Sequence, residues 1–172
     1  MHTTFNATST AVLACNNDSA MNEQEPIDFD EALSELTLNV QIGYRICSLL
    51  DLKIARKFDW YALSGAEIFE IAIGNDSLAR LIDEGFSSGL AKEDLVKGID
   101  SAASIWASAQ DFAGSLFQEM SPEHSAQMSE LEVDCRISAC ADDDSELHDI
   151  RMSDPLLYSA ICIELSRAVE NP

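Results

Sequence analysis

Apolar side chains recur at steps of three and four along most of the chain, the spacing that places them on one face of an α-helix. The first run extends from Phe29 to Ile54, and Asp28 and Glu31 have the spacing of a capping box at its start. A second apolar stripe lies beside the first. Residues 29–56 therefore predict one long helix that is apolar on two faces, either central in a bundle or shared with another chain.

The most regular pattern lies in residues 91–120, where apolar positions alternate between steps of four and three. These positions are Leu95, Ile99, Ala102, Trp106, Ala109, Ala113, Leu116 and Met120. Such a seam predicts a helix packed closely against a neighbour, because most side chains around Trp106 are small. We expect this seam to form part of the core, with a ligand pocket or a dimer contact as alternatives.

Capping residues and glycines predict four shorter helices, over residues 64–73, 78–84, 121–141 and 156–169. No segment shows the alternation of apolar and polar residues that is typical of a strand. The predicted fold class is all-α, a compact bundle of five to six helices.

The N-terminal residues show neither the helical period of about 3.6 residues nor the strand period of two, and they are rich in Ser, Thr and Asn. We therefore expect residues 1–26 to be a disordered tail or a leader, and residues 27–172 to be a single helical domain.

Net charge, hydrophobic content and cysteine count indicate which partners and which cellular location suit the protein. The 172 residues include 10 Lys and Arg against 31 Asp and Glu, a net charge of −21, and 47% are hydrophobic. This excess of negative charge argues against direct binding to nucleic acid or to an anionic membrane, because both need positive charge. The odd count of five cysteines and the poor secretory signal predict a cytoplasmic protein with reduced, mostly buried thiols.

The chemically reactive side chains form no known catalytic or metal-binding motif. There is no P-loop, nucleophile elbow or dinucleotide fingerprint. The acidic run that begins at Asp142 places Leu147 and Ser153 where an EF-hand needs Gly and Glu. Cys135 and Cys140 lie five apart on a predicted helix and diverge by roughly 140°, which opposes a shared zinc ion. We predict no enzymatic activity, no cofactor and no metal.

Acidic residues are concentrated in one segment. From Glu119 to Asp154 there are 11 acidic residues against Arg136 and Arg151, a net charge of −9 in 36 residues. Such a surface is suited to a basic partner, since complementary potentials speed association and select the partner. The predicted partner-binding residues are Glu130, Glu132, Asp134, Asp142, Asp143, Asp144, Glu146 and Asp149.

In composition, size and helix content the chain resembles phage or plasmid anti-defence proteins that act as nucleic-acid mimics. The leading hypothesis is a non-enzymatic protein that binds a basic, nucleic-acid-binding protein and blocks or modulates it. The alternative is a helical oligomer of adaptor, chaperone-like or antitoxin type that binds through apolar seams. That alternative includes a homodimer through residues 29–56 or 91–120, with the acidic residues serving only solubility.

Overall fold

The structure of the protein, a computed structural model, describes residues 25–57, 60, 64, 66, 75–119 and 145–170. Within these residues there is no strand, and the predicted all-α class is confirmed. The described helices are α1 (Phe29–Ser34), α2 (Leu38–Leu49), α3 (Leu52–Lys57), α4 (Asp76–Ser87), α5 (Lys92–Glu119), α6 (Ser145–Ser153) and α7 (Pro155–Glu170). None of these helices is long and apolar enough to cross a membrane.

Helix α5, with 28 residues, is the centre of the packing. It contacts α2 and α7 most extensively and also contacts α3. Helix α4 packs against α2, and both α1 and α6 pack against α7. The predicted seam of α5 is confirmed over its first six positions, which are all buried: Leu95, Ile99, Ala102, Trp106, Ala109 and Ala113.

The prediction of one helix over residues 29–56 is wrong, because the chain forms α1, α2 and α3 there. Thr37, with ψ at 150°, and Leu50, with ψ at 137°, have extended backbones, and each interrupts the helical ladder of hydrogen bonds. Asp51 then begins α3, since its side chain accepts a hydrogen bond from the backbone N–H of Lys53 at 2.8 Å. These breaks allow α1 to pack against α7 and α3 to pack against α5.

Helix α2 is apolar on two faces because it lies inside the bundle. Its buried side chains come from both predicted stripes: Ile42, Tyr44, Ile46 and Cys47. The Tyr44 hydroxyl donates a hydrogen bond to the backbone carbonyl of Leu156 at 2.7 Å, which joins α2 to the first turn of α7.

Two glycines mark the place where α2 crosses α5. A Cβ atom added to Gly43 would overlap the backbone of Gly98, and one added to Gly98 would overlap the carbonyl of Asn39. The two helix backbones are therefore in direct contact, at a separation that no other residue type permits at these positions.

Polar side chains define the helix starts. Asp28, part of the predicted capping box, and Asp154 each accept a backbone N–H at 3.0 Å, so they cap the starts of α1 and α7. The predicted end of the helix over residues 78–84 is wrong. Gly85 is buried within α4, and the chain turns at Gly89, with φ at 91°.

The sequence does not predict the helix over residues 145–153. The predicted helices 64–73 and 121–141 fall almost wholly outside the described residues.

Candidate functional site

The eight predicted partner-binding residues divide into two groups. Two of them, Glu146 and Asp149, are exposed on α6. They lie three residues apart, so they share one face of the helix. The buried side chain of Leu147 attaches α6 to the core. The other six lie outside the described residues: Glu130, Glu132, Asp134, Asp142, Asp143 and Asp144.

Negative charge also dominates the part of the chain that the structure describes. It contains 19 Asp and Glu residues against nine Lys and Arg residues. Three ion pairs join residues of this part, with N–O distances of 3.8, 4.0 and 2.7 Å: Arg45–Glu84, Lys97–Asp94 and Arg167–Glu164. Most carboxylates of the described surface therefore have no cationic partner within it.

One group of these carboxylates surrounds a groove of about 650 Å³, which we call the α1 groove. It lies between α1, with the segment before it, and the junction of α6 and α7. Its acidic lining residues are Glu25, Asp28, Glu31, Glu35 and Asp154. Its apolar lining includes Ile27, Leu36 and Leu156, and no Lys or Arg lines it among the described residues.

The acidic residues of the α1 groove have two different roles. Asp28 and Asp154 are the helix caps of α1 and α7, so their position follows from the local fold. The side chains of Glu25, Glu31 and Glu35 are exposed, and no described residue forms an ion pair with them. These three carboxylates remain available to a binding partner.

The sequence alone does not reveal the α1 groove, although part of its acidic character is visible there. The first Lys or Arg of the chain is Arg45, and seven Asp and Glu residues precede it. The proximity of this N-terminal acidic segment to Asp154 depends on the packing of α1 against α7. No local pattern in the sequence predicts that contact.

A second cavity, of about 480 Å³, lies where α2 ends beside α5 and α7. Arg167 is its central side chain. Its Nη2 donates to the backbone carbonyls of Cys47 and Ser48, both at 3.0 Å, and its Nη1 donates to Glu164 at 2.7 Å. The guanidinium also lies 5.6 Å from the centre of the Trp106 ring. A cation on the last carbonyls of a helix stabilises the helix end, so Arg167 has a structural role here.

Two further side chains complete this polar cluster. The amide of Gln110 donates to Asp51 at 3.3 Å and to Glu164 at 3.4 Å. Glu164 is only 7% exposed, so its hydrogen bonds with Gln110 and Arg167 compensate for its loss of solvation. The cluster joins α3, α5 and α7.

The thiols of the described residues are not activated as nucleophiles. Burial raises the pKa of Cys47 to about 12 and also raises the pKa of Cys162, so both thiols are neutral at physiological pH. The part of the chain that the structure describes contains no group of three or more His, Cys, Asp or Glu side chains that could hold a metal ion.

No protein-family model, curated protein or solved structure significantly matches the chain.

Proposed function

We propose that this is a non-enzymatic interaction protein that binds a basic, nucleic-acid-binding protein and blocks or modulates it. The observation that supports this proposal is the excess of unpaired carboxylates on the described surface, with 19 acidic residues against nine basic residues. An electrostatic surface of this kind accelerates association with a partner of opposite charge and disfavours other partners.

The proposed mechanism is steric and electrostatic. Carboxylates on the helical surface would take the place of nucleic-acid phosphates and accept charge-assisted hydrogen bonds from Lys and Arg of the partner. The proposed contact residues remain the eight from the sequence: Glu130, Glu132, Asp134, Asp142, Asp143, Asp144, Glu146 and Asp149. Of these, Glu146 and Asp149 are exposed on one face of α6, which suits them to this role.

No observation favours the alternative of an oligomer that binds through apolar seams. Among the described residues, the α2 and α5 seam positions are mostly buried within the chain, and the exposed large apolar side chains are Ile27 and Ile54. A homodimer through residues 29–56 or 91–120 stays a prediction. So does the cytoplasmic location, which the unpaired thiols of Cys47 and Cys162 support.

A capture experiment tests the proposal. The protein is immobilised, exposed at low salt to an extract of its native cells, and eluted with a salt gradient. We expect a basic, nucleic-acid-binding protein to elute, because salt screens contacts between exposed charges. The variant Asp142→Lys/Asp143→Lys/Asp144→Lys should capture much less of this protein.

A matched control has the same change in net charge at three other positions. The control is Asp76→Lys/Asp83→Lys/Asp100→Lys, whose positions are exposed on α4 and α5. It should retain most of the captured partner. Equal capture by the wild-type protein and by both variants, or the absence of any basic protein from the salt eluate, would contradict the proposal.

A further inference from the structure

We propose that the α1 groove is the docking site for an extended basic segment of the partner, with one apolar side chain of that segment placed against Ile27. This inference rests on the proposed function and adds a specific site and a specific kind of ligand to it. The groove differs from the eight residues discussed above, because it is formed mainly by α1 and the segment that precedes it.

The charge of the groove determines which ligand fits it. Five carboxylates line it, and none of its described lining residues is Lys or Arg. A neutral or acidic occupant would remove these carboxylates from water without compensation, which is unfavourable. Lys and Arg side chains would replace the lost water with charge-assisted hydrogen bonds.

The spacing of the carboxylates suits an extended segment. Glu31, in the first turn of α1, and Glu35, its C-cap, are four residues apart, so they are separated by about 6 Å along the helix axis. In an extended chain, every second side chain points the same way, at intervals of about 6.6 Å. Two basic residues in the pattern Lys-x-Lys or Arg-x-Arg can therefore face Glu31 and Glu35 together.

An apolar contact would complete the binding site. Ile27 is 44% exposed, and Leu36 and Leu156 also line the groove. An apolar side chain of the ligand would remove the exposed part of Ile27 from water. An apolar centre surrounded by polar contacts is the usual anatomy of a protein interface.

Two other occupants fit the observations less well. Residues 1–24 of the chain contain no Lys or Arg, so they lack the charge that the groove requires. A second copy of the protein could offer Lys53, Arg56 and Lys57 of α3, which are exposed. However, two copies with a net charge of −21 repel each other, which disfavours this occupant.

The test measures binding of a fluorescent peptide by anisotropy. The peptide carries Arg-x-Arg and one Leu, and a second peptide has Ser in place of Leu. The variant Glu31→Gln/Glu35→Gln should weaken binding of the Leu peptide by about tenfold or more, which corresponds to about 0.7 kcal/mol per carboxylate. It keeps the side-chain shape and leaves both helix caps intact. The control Asp83→Asn/Asp100→Asn should change binding by less than about twofold, since its lost charges lie on α4 and α5.

A further variant tests the apolar contact. Ile27→Ser should weaken binding of the Leu peptide and should leave binding of the Ser peptide nearly unchanged. Far-UV circular dichroism and thermal melts of all variants show whether each one is folded. An equal loss of affinity for both peptides in Ile27→Ser would contradict the apolar contact.

The outcomes separate this inference from the proposed function. If the wild-type protein captures a basic partner and the Glu31→Gln/Glu35→Gln variant captures it equally well, the groove inference is overturned and the proposed function stands. If the wild-type protein captures no basic partner, both fail. If sedimentation shows a dimer of the wild-type protein that Lys53→Glu/Lys57→Glu dissociates, a second copy occupies the groove and the inference is overturned.

Discussion

At the scale of single residues, two residues without side chains allow two helices to approach closely. Gly43 and Gly98 bring the backbones of α2 and α5 together. Both glycines are visible in the sequence, but their contact joins positions more than 50 residues apart. The caps at Asp28 and Asp154 could be predicted because each one bonds to a backbone N–H three residues away. A capping hydrogen bond can be predicted from the spacing of neighbouring residues, whereas the contact of Gly43 with Gly98 cannot.

The glycine contact leads to a prediction about stability. Gly43→Ala or Gly98→Ala should lower the free energy of unfolding by about 3 kcal/mol or more, because the added methyl group overlaps a neighbouring backbone that cannot rotate away. Urea denaturation measures this change. Gly114→Ala is the control in α5, since a Cβ atom there meets nothing within 4 Å. This control should be neutral or should stabilise the protein by about 0.5–1 kcal/mol. Equal effects of all three substitutions would contradict the close contact.

Two buried side chains predict how stability depends on pH. Burial raises the pKa of Cys47 from 9.0 and that of Tyr44 from 10.0, in each case to about 12. Between pH 9 and pH 12 the unfolded chain therefore loses protons that the folded protein keeps. Stability should fall as the pH rises through this range, by up to about 1.4 kcal/mol per pH unit for each group.

Urea denaturation in a reducing buffer, repeated at several pH values, measures this fall. The Cys47→Ala variant should show a shallower decline than the wild-type protein, because it keeps only the contribution of Tyr44. Identical slopes for the two proteins above pH 9 would show that the Cys47 thiol does not contribute.

At the scale of helices, the sequence predicts α5 and α7 well. Their bounds agree with the predicted ranges 91–120 and 156–169 to within one residue, because one apolar face runs through each whole helix. The region of α1, α2 and α3 was predicted wrongly for the same reason. Its apolar period continues across the breaks near Thr37 and Leu50, so periodicity alone does not reveal them. The breaks come from extended backbone at single residues, which the periodicity does not encode.

Arg167 joins the end of α2 to α7, and this link can be tested. Arg167→Met should lower the free energy of unfolding by about 3 kcal/mol, because it removes the cation from Glu164, which is only 7% exposed. Thermal and urea denaturation measure the change. The double variant Arg167→Met/Glu164→Gln should recover part of the loss, since it removes the uncompensated charge.

The control for this prediction breaks an exposed ion pair. Arg45→Met removes the pair with Glu84, whose N–O distance is 3.8 Å, and should cost less than about 1 kcal/mol. If Arg167→Met and Arg45→Met destabilise the protein equally, Arg167 does not have the proposed role at the end of α2.

At the scale of the whole molecule, a conventional apolar core carries an unusually acidic surface. The net charge of −21 is plain from the sequence, and the distribution of acidic residues along the chain predicts a binding role for one segment, from Glu119 to Asp154. The structure adds the α1 groove, which joins Glu31 and Glu35 to Asp154 across the packing of α1 against α7. The location of charge along the chain could thus be predicted, whereas its grouping in space required the fold.

The most direct test of the proposed function is competition between this protein and nucleic acid for the captured basic partner. The partner is bound to fluorescent DNA or RNA, the protein is added at low salt, and anisotropy measures the bound fraction. We predict that added protein releases the nucleic acid, and that the Asp142→Lys/Asp143→Lys/Asp144→Lys variant releases much less of it. If the bound fraction of nucleic acid stays unchanged at saturating wild-type protein and low salt, the proposed function is contradicted.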